Sequence, residues 1–470
     1  MSKARALMIA GTASHVGKSW TATAVCRFLR NKGLRVAPFK AQNMSNNSFP
    51  CVGGGEIGRA QVAQAQACGL EPTPDMNPIL LKPASDRRSQ VVVNGKVWKT
   101  LEAANYYEEF PFLLSQVLNA YERLASHYDF VVIEGAGSIT ELNLKSRDLV
   151  NLGLAARIAA PVMLVSDIDR GGVFASLVGT FALLEPEERA LVRGYMVNRF
   201  RGDPALFAGG TEILEQRTQR PCLGVFPYDA SISLDAEDGV GIPTDSSGGS
   251  AEIAIVHLPH VSNTTDFRLL SDAVWVSSPV DRQFKAVLLP GTKNTIDDLA
   301  WLQRTGLADW VKAQHRRGAT VVGICGGYQM LGESVEDPHR VESSRAQIDG
   351  LGLLPCRTRL ATEKVTRRVE AISPMGTRFS AYEIHMGETT GSDDARPFAR
   401  LSDGTTDGVR SNRCVGTYLH GALEDAVLAR EILGVEVREK PSREDNYERL
   451  AQWFEAHVDQ SKFEELYLCG

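Results

Sequence analysis

The clearest chemical signal in this 470-residue sequence is a cysteine followed by two glycines. Cys325 ends the apolar run 321–324 and precedes Gly326, Gly327 and a helical pattern. A cysteine on a sharp strand-to-helix turn lies at the positive end of a helix, which favours the thiolate. His420 follows another short apolar run, as expected for a general base. A buried structural cysteine and an unrelated histidine are the alternative, but the combination favours a catalytic pair.

A second candidate site lies near the N-terminus, where the apolar run 6–10 leads into a glycine-rich turn at 11–19. Backbone N–H groups and a lysine in such a turn can hold a triphosphate, and a serine hydroxyl can bind Mg²⁺. Five residues rather than four separate the two glycines, so the pattern departs from the strict P-loop by one residue. A purely structural glycine turn is the alternative. We expect nucleotide contacts from Thr12, Gly17, Lys18 and Ser19.

Composition limits the class of protein. With 43% hydrophobic and 23% charged residues, the chain is typical of a globular protein with two or three domains, and no apolar run is long enough to cross a membrane. A net charge of −6 offers no attraction for nucleic acid. The eight cysteines form no Cys-x-x-Cys pair, so we expect free thiols. The first strand begins without a hydrophobic leader, from which we expect a cytoplasmic protein.

Apolar runs alternate with helical periodicity through both halves of the chain. This alternation predicts α/β domains with parallel sheets, whose ligands bind at the carboxyl ends of the strands. A stretch of small and turn-forming residues at 239–250 marks the predicted boundary between them. We therefore expect an ATP-dependent domain at 1–238, a second domain at 251–445 and a helical tail at 446–470.

Polar side chains follow several predicted strands. Glu134 follows the run 130–133, where its carboxylate could hold Mg²⁺ together with Ser19. Lys40 could reach nucleotide phosphates, and Asn198 could either bond an adenine edge or cap a helix. Three aspartates stay open between metal, substrate and structural roles: Asp148, Asp167 and Asp169.

The loop after Lys40 is unusually rich in amides and hydroxyls. Its polar residues are Gln42, Asn43, Ser45, Asn46 and Asn47. Such a loop suits either an elaborate polar ligand or a turn bonded to itself, and we favour the ligand.

Several segments together resemble the cobyric acid synthase family, the glutamine-hydrolysing amidases of corrinoid biosynthesis. They are Phe39-Lys-Ala-Gln-Asn-Met-Ser-Asn-Asn-Ser48, Glu134-Gly-Ala-Gly137, Asp167-Ile-Asp-Arg-Gly-Gly172, Pro290-Gly-Thr-Lys-Asn-Thr295, Gly323-Ile-Cys-Gly-Gly-Tyr-Gln-Met330, Tyr382-Glu-Ile-His-Met-Gly387 and Tyr418-Leu-His-Gly421. The resemblance implies a P-loop-type parallel-sheet domain, similar to dethiobiotin synthetase, followed by a class I glutamine amidotransferase α/β domain. The segment 39–48 selects this family over its neighbours.

The resemblance also implies an activity. Such an enzyme uses ATP, Mg²⁺ and glutamine to amidate the b, d, e and g carboxylates of adenosylcobyrinic acid a,c-diamide, giving adenosylcobyric acid. Cys325 would attack glutamine and His420 would protonate the departing ammonia, which then needs a sheltered path to the other site. The oxyanion hole would come from Gly291, Thr292 and Gly326. We expect the corrinoid to be bound by Gln42, Asn43, Asn46, Asp148 and Asp169.

One position departs from the amidotransferase pattern. Ala422 stands two residues after His420, where many related enzymes have a glutamate that orients the histidine. We expect a Cys-His dyad, with a backbone carbonyl or a more distant carboxylate rather than Glu424 orienting the ring. His385 is expected to have a structural or substrate-contact role.

Two other functions are open at this stage. The nearer is another amidotransferase of the same group, such as the a,c-diamide synthase or an enzyme that amidates a cell-wall precursor. The further is a nucleotide switch of the partition-ATPase class with an inactive amidase domain. The presence of both Cys325 and His420 argues against the switch.

Overall fold

The computed structural model describes residues 4–83, 88–235, 251–392 and 395–469. The first domain is built on six parallel strands with uninterrupted apolar runs, which suit a sheet covered by helices on both faces. In spatial order the strands are Cys222–Pro227, Val192–Phe200, Val162–Asp167, Arg5–Gly11, Phe130–Glu134 and Val36–Phe39. The first strand lies near the middle, so the glycine-rich turn after it opens at the centre of the carboxyl edge.

Helices cover both faces of this sheet. Those of the first domain are Lys18–Asn31, Arg59–Ala67, Ala103–Tyr106, Phe110–His127, Leu152–Ile158, Val173–Leu183, Pro186–Leu191 and Ala208–Thr218. A smaller sheet beside the carboxyl edge contains Gln42–Met44, Ile79–Pro83, Arg88–Val93 and Lys96–Glu102, and a short hairpin pairs Ser48–Pro50 with Glu56–Gly58. Among the described residues, no helix is both long and apolar enough to cross a membrane.

The second domain has a six-stranded sheet, parallel except at one edge. Its strands in spatial order are Val274–Val276, Ile253–Val256, Ala286–Leu289, Thr320–Ile324, Cys414–Thr417 and the antiparallel Val409–Ser411. Its helices are Thr295–Arg304, Leu307–Arg316, Gly326–Leu331 and Ala426–Leu433. A long hairpin of Cys356–Ile372 and Arg378–Gly391 belongs to a separate sheet, together with Ser334–Glu336, Gln347–Asp349, Ala399–Leu401 and Thr406–Asp407. The predicted boundary segment 239–250 lies outside the described residues.

The C-terminal segment packs on the first domain, although it follows the second in the chain. It forms two helices, Arg443–His457 and Gln460–Tyr467, so the predicted start of the tail at 446 falls inside a helix. Phe454 is fully buried and packs edge-on against Phe28 with ring centroids 5.3 Å apart. The tail therefore completes the hydrophobic core on one face of the first domain's sheet.

All eight cysteines are free thiols, as predicted, and Cys469 alone among them is exposed. Burial raises the pKa of the Cys51 thiol to about 12. Such a thiol is protonated at neutral pH and behaves as a small apolar side chain.

Candidate active sites

Cys325 lies on the turn between the strand Thr320–Ile324 and the helix Gly326–Leu331. Its φ is 52° and its ψ is −110°. A conformation of this kind costs a residue other than glycine about 1–3 kcal/mol, and such residues cluster at active sites. A Cβ at Gly327 would lie 2.0 Å from the carbonyl oxygen of Leu289, so glycine is required after the turn. The strained turn predicted for this cysteine is confirmed.

His420 follows the neighbouring strand Cys414–Thr417 and has no solvent exposure. Its Nδ1 lies 2.7 Å from Oδ2 of Asp266, whose Oδ1 accepts a hydrogen bond from the backbone N–H of Gly421 at 2.7 Å. Burial lowers the pKa of His420, but the Asp266 carboxylate and a hydrogen bond with Cys325 outweigh it and raise the pKa to about 10. The Asp266 carboxylate thus fixes the orientation of the histidine ring and stabilises its protonated form, the imidazolium.

A carboxylate orients the ring of His420. Of the alternatives considered, the more distant carboxylate is the one found. Asp266 lies on the short 3₁₀ turn Thr264–Phe267, far from His420 in the chain. Glu424 has a different role, since it accepts a hydrogen bond from Arg59 at 3.1 Å and pairs with Arg443.

The three residues expected to form the oxyanion hole lie together around Cys325. Gly291 and Thr292 form a short strand paired with Val261–Ser262, and a Cβ on Gly291 would lie 3.1 Å from Cε1 of His420. A Cβ on Gly326 would lie 2.5 Å from Cγ2 of Thr292. Gly326 is also the first helical residue, so its N–H has no partner within the helix.

A polar pocket opens in front of Cys325, at the junction of the two domains. Charged residues that the sequence did not single out are part of its wall, together with His385: they are Lys82, Lys293, Glu342 and Lys364. Burial lowers the pKa of Lys293 and raises the pKa of Glu342. His385 stacks on Tyr418 with ring centroids 3.8 Å apart, and its Nδ1 is 2.8 Å from the carbonyl of Gly387. The wall of this pocket therefore carries both signs of charge.

A buried ion cluster lies beside this pocket. The Glu56 carboxylate pairs with Lys82 at 2.6 Å and with Lys364 from the long hairpin of the second domain. Burial would raise the pKa of Glu56, but the two ammonium groups hold it well below its usual range. Burial also lowers the pKa of Lys82 to about 7. The cluster joins the two domains through charges with very little exposure.

The glycine-rich turn of the first domain has the form of a phosphate cradle. Gly17 adopts a φ of 104°, which glycine tolerates, and the helix Lys18–Asn31 begins directly after it. The ammonium of Lys18 donates to the carbonyls of Ala13 at 2.9 Å and Gly137 at 2.8 Å, so it spans the turn. The hydroxyl of Ser19 donates to Glu134 at 2.8 Å.

Glu134 lies at the centre of this site. It ends the strand Phe130–Glu134, is 1% exposed and pairs with the ammonium of Lys40 at 2.8 Å. Gln64 donates to its other oxygen. The structure thus brings together Lys18, Ser19, Lys40 and Glu134, all four of which the sequence singled out.

Two other residues expected at the nucleotide have contacts within the protein. The Asn198 amide donates to the carbonyl of Val16 at 2.9 Å and packs against Gly17, so it supports the phosphate turn. The Thr12 hydroxyl lies 3.1 Å from that of Ser166. Asn198 lies inside the strand Val192–Phe200, so it does not cap a helix, and one amide N–H is engaged at the phosphate turn.

A cavity of about 560 Å³ lies beside the phosphate turn. Gln42 and Asp148, which the sequence predicted to bind the corrinoid, are in its wall, and so is Gly137. The Asp148 carboxylate accepts backbone hydrogen bonds from Val150, Asn151 and Gly153 at 2.8–2.9 Å. Its main contacts therefore shape the loop that forms the wall.

The other expected corrinoid contacts do not lie in this cavity wall. Asn43 is buried and donates to Gln61, while Asp169 pairs with Arg201. Asp167 likewise pairs with Arg199 at 2.9 Å. Asn46 is in the wall of the polar pocket in front of Cys325 instead. The polar composition of the loop after Lys40 could not show whether its residues contact a ligand or a neighbouring domain.

Comparison with known proteins covers almost the whole chain. Residues 7–242 match the CobQ/CobB/MinD/ParA nucleotide binding domain, and residues 252–427 match the CobB/CobQ-like glutamine amidotransferase domain. The cobyric acid synthase of Syntrophobacter fumaroxidans is 45% identical over 500 aligned residues, which cover 97% of each chain. That of Jannaschia sp. is 47% identical over 90% of each chain, and that of Parabacteroides distasonis is 44% identical over 97% of each.

Proposed function

The chain belongs to the cobyric acid synthase family, and on that premise we propose that it amidates the b, d, e and g carboxylates of adenosylcobyrinic acid a,c-diamide with ATP and glutamine. The observation that carries this proposal is the position of Gly137. Its carbonyl accepts from Lys18 in the phosphate turn, and the same residue lines the 560 Å³ cavity. A carboxylate held in the cavity would lie beside the terminal phosphate of the nucleotide.

The amidase half-reaction begins at Cys325. Its thiolate attacks the side-chain carbonyl of glutamine, and backbone N–H groups of Gly326 and the 291–292 strand stabilise the oxyanion, each donor being worth about 3 kcal/mol. The carbon–nitrogen bond then breaks while His420 gives its Nε2 proton to the departing ammonia. Water hydrolyses the resulting thioester to glutamate and returns the cysteine.

The synthetase half-reaction activates the acceptor. Lys18 and Lys40 hold the phosphates while a corrinoid carboxylate oxygen attacks the γ-phosphorus, ADP leaves and an acyl phosphate forms. Ammonia from the other site then displaces phosphate to give the amide. The donor set fits a magnesium ion, because the Ser19 hydroxyl and the Glu134 carboxylate, both hard oxygen ligands, meet at 2.8 Å. Magnesium bound there would neutralise phosphate charge.

Mass spectrometry tests the proposal directly. The protein is incubated with the a,c-diamide, Mg-ATP and amide-¹⁵N-glutamine, in parallel with Cys325→Ser. We expect four labelled amides from the wild type, and none from glutamine with the variant, which added ammonium should rescue. Glutamine hydrolysis without amidation would refute the a,c-diamide as the acceptor and favour a reaction of the a,c-diamide synthase type on a different carboxylate.

A further inference from the structure

A single buried carboxylate fastens the short strand that carries two of the proposed oxyanion residues, Gly291 and Thr292. Asp298 lies in the first turn of the helix Thr295–Arg304 and is 1% exposed. It accepts hydrogen bonds from the Thr292 hydroxyl and, at 3.2 Å, from the backbone N–H of His260, and its Oδ1 lies 2.7 Å from Nδ1 of the same histidine. Because His260 directly precedes the partner strand, Asp298 binds both sides of the short antiparallel pair.

The pairing of the two strands sets the direction of one backbone N–H. The Lys293 N–H donates to the carbonyl of His260 at 3.0 Å and so points towards the partner strand. Because successive N–H groups of a strand point to opposite sides, the N–H of Thr292 points away from the partner strand. The Thr292 nitrogen lies beside the turn that carries Cys325, since a Cβ on Gly326 would be 3.1 Å from it.

The carboxylate holds Thr292 by its side chain. Besides donating to Asp298, the Thr292 hydroxyl lies 3.1 Å from the carbonyl of His260 and accepts the Asn294 N–H at 3.2 Å. Thr292 is 7% exposed, so a hydrogen-bond partner that is lost there is not readily replaced by water. An oxyanion donor is effective only when its N–H is fixed in advance, about 2.7–3.1 Å from the place where the oxyanion forms. The contacts of the hydroxyl provide this fixation, because they prevent the residue from rotating.

We propose that Asp298 is a positioning residue of glutamine hydrolysis, which holds the Thr292 N–H in the direction that stabilises the oxyanion of the tetrahedral intermediate. Its hydrogen bonds go to Thr292 and His260 rather than to Cys325, so it acts on the reaction through Thr292. This role rests on the oxyanion hole proposed above and on glutamine hydrolysis alone. A carboxylate acceptor other than the corrinoid would leave it unaffected.

Steady-state hydrolysis of glutamine by the full-length protein tests this role without any corrinoid. Asp298→Asn removes the charge and one acceptor atom, and Thr292→Val removes the hydroxyl at nearly constant shape. We expect kcat and kcat/KM to fall together by about 10²-fold or more in both variants, as for the loss of one oxyanion donor, with KM little changed. Thr292→Ser keeps the hydroxyl and should stay close to the wild type.

Two readouts separate this role from a merely structural one. Iodoacetamide reacts with the Cys325 thiolate at a saturated carbon and forms no oxyanion, so its rate of alkylation should be unchanged in both variants. Glutamate γ-semialdehyde adds the same thiolate to its carbonyl carbon and gives a tetrahedral adduct. Its Ki should therefore rise by the factor by which kcat/KM falls. Asp297→Asn is the matched control, because this neighbouring carboxylate accepts from the Asn294 amide and the Ser343 hydroxyl, each at 2.8 Å.

Several outcomes would overturn the proposal. An unchanged kcat/KM in Asp298→Asn and Thr292→Val would show that the carboxylate has no part in hydrolysis. Alkylation that slows in step with hydrolysis would attribute the loss to the cysteine turn, and an unchanged Ki beside a lowered kcat would place the effect outside the oxyanion hole. An equal loss in Asp297→Asn would assign it to the helix as a whole. Thermal unfolding of each variant identifies one that is misfolded, and the other of the two then decides.

Discussion

Replacing Asp266 with asparagine should move the alkaline limit of glutamine hydrolysis. The carboxylate and the imidazolium of His420 are both fully buried and are joined at 2.7 Å. Two unit charges with centres about 4 Å apart interact by about 4 kcal/mol at an effective dielectric constant near 20, which is about three pKa units. The pKa of His420, raised to about 10 in the wild type, should therefore fall to about 7 or below in Asp266→Asn.

The direction in which activity changes with pH follows from the role of the histidine. His420 must be protonated to release ammonia, so activity is present below its pKa and is lost as the pH rises through that value. The wild type should stay active up to about pH 10, whereas the variant should lose activity above about pH 7. Near pH 8 we expect a fall in kcat of about 10²–10⁴-fold, because the asparagine also permits the wrong tautomer.

The assay measures glutamate release from about pH 6 to pH 10, a range that includes the pKa values expected for His420 in the wild type and in the variant. Synthesis supported by ammonium should be preserved in Asp266→Asn, which shows that the first domain is intact. Glu424→Gln is the matched control, because that carboxylate bonds Arg59 and Arg443 instead of the ring. An alkaline limit that does not move in Asp266→Asn, or that moves as far in Glu424→Gln, would refute the reasoning.

Three further predictions concern the first domain and its contacts. Lys18→Ala should abolish ATP-dependent amidation while glutaminase activity persists, because the lysine spans the phosphate turn, and ADP release measures this. Glu56→Gln should lower the free energy of unfolding by about 3–5 kcal/mol, because it leaves Lys82 buried without its counter-charge. Denaturant unfolding measures this, and a loss below about 1 kcal/mol would contradict the prediction. Phe454→Ala should also cost about 3–5 kcal/mol, against less than about 0.5 kcal/mol for the exposed Glu455→Ala, in the same unfolding assay.

The residues that were predictable from sequence are those whose neighbours in the chain create their environment. Cys325 follows a buried strand and precedes two glycines, so the turn that presents it is a local property. Lys18 and Ser19 likewise follow a glycine-rich turn at the end of the first strand. Glu134 was found because carboxyl ends of parallel strands meet at one edge.

Asp266 was missed, and the surfaces that Asn46 and the tail contact were not predicted, because these contacts join distant segments of the chain. Asp266 meets His420 across 154 positions of sequence and lies on a short turn with no periodic pattern. Asn46 is a polar residue in a loop, and such a residue can contact a corrinoid or another domain equally well. The tail at 443–467 was recognisable as helical from its apolar spacing, but amphipathic spacing does not name the surface that it covers.

Because that tail packs on the first domain, the amidase domain is inserted in the chain between two segments that form one hydrophobic core. Phe454 and Phe463 pack with Phe28 and Phe226, residues that leave the ribosome long before them. During synthesis the amidase domain can fold while the nucleotide domain still lacks part of its core. The ATP-using half is therefore completed last, when its ammonia source is already in place. A cut at 251 would accordingly leave a first domain with an uncovered apolar face, and supplying residues 443–469 as a separate peptide should restore its solubility.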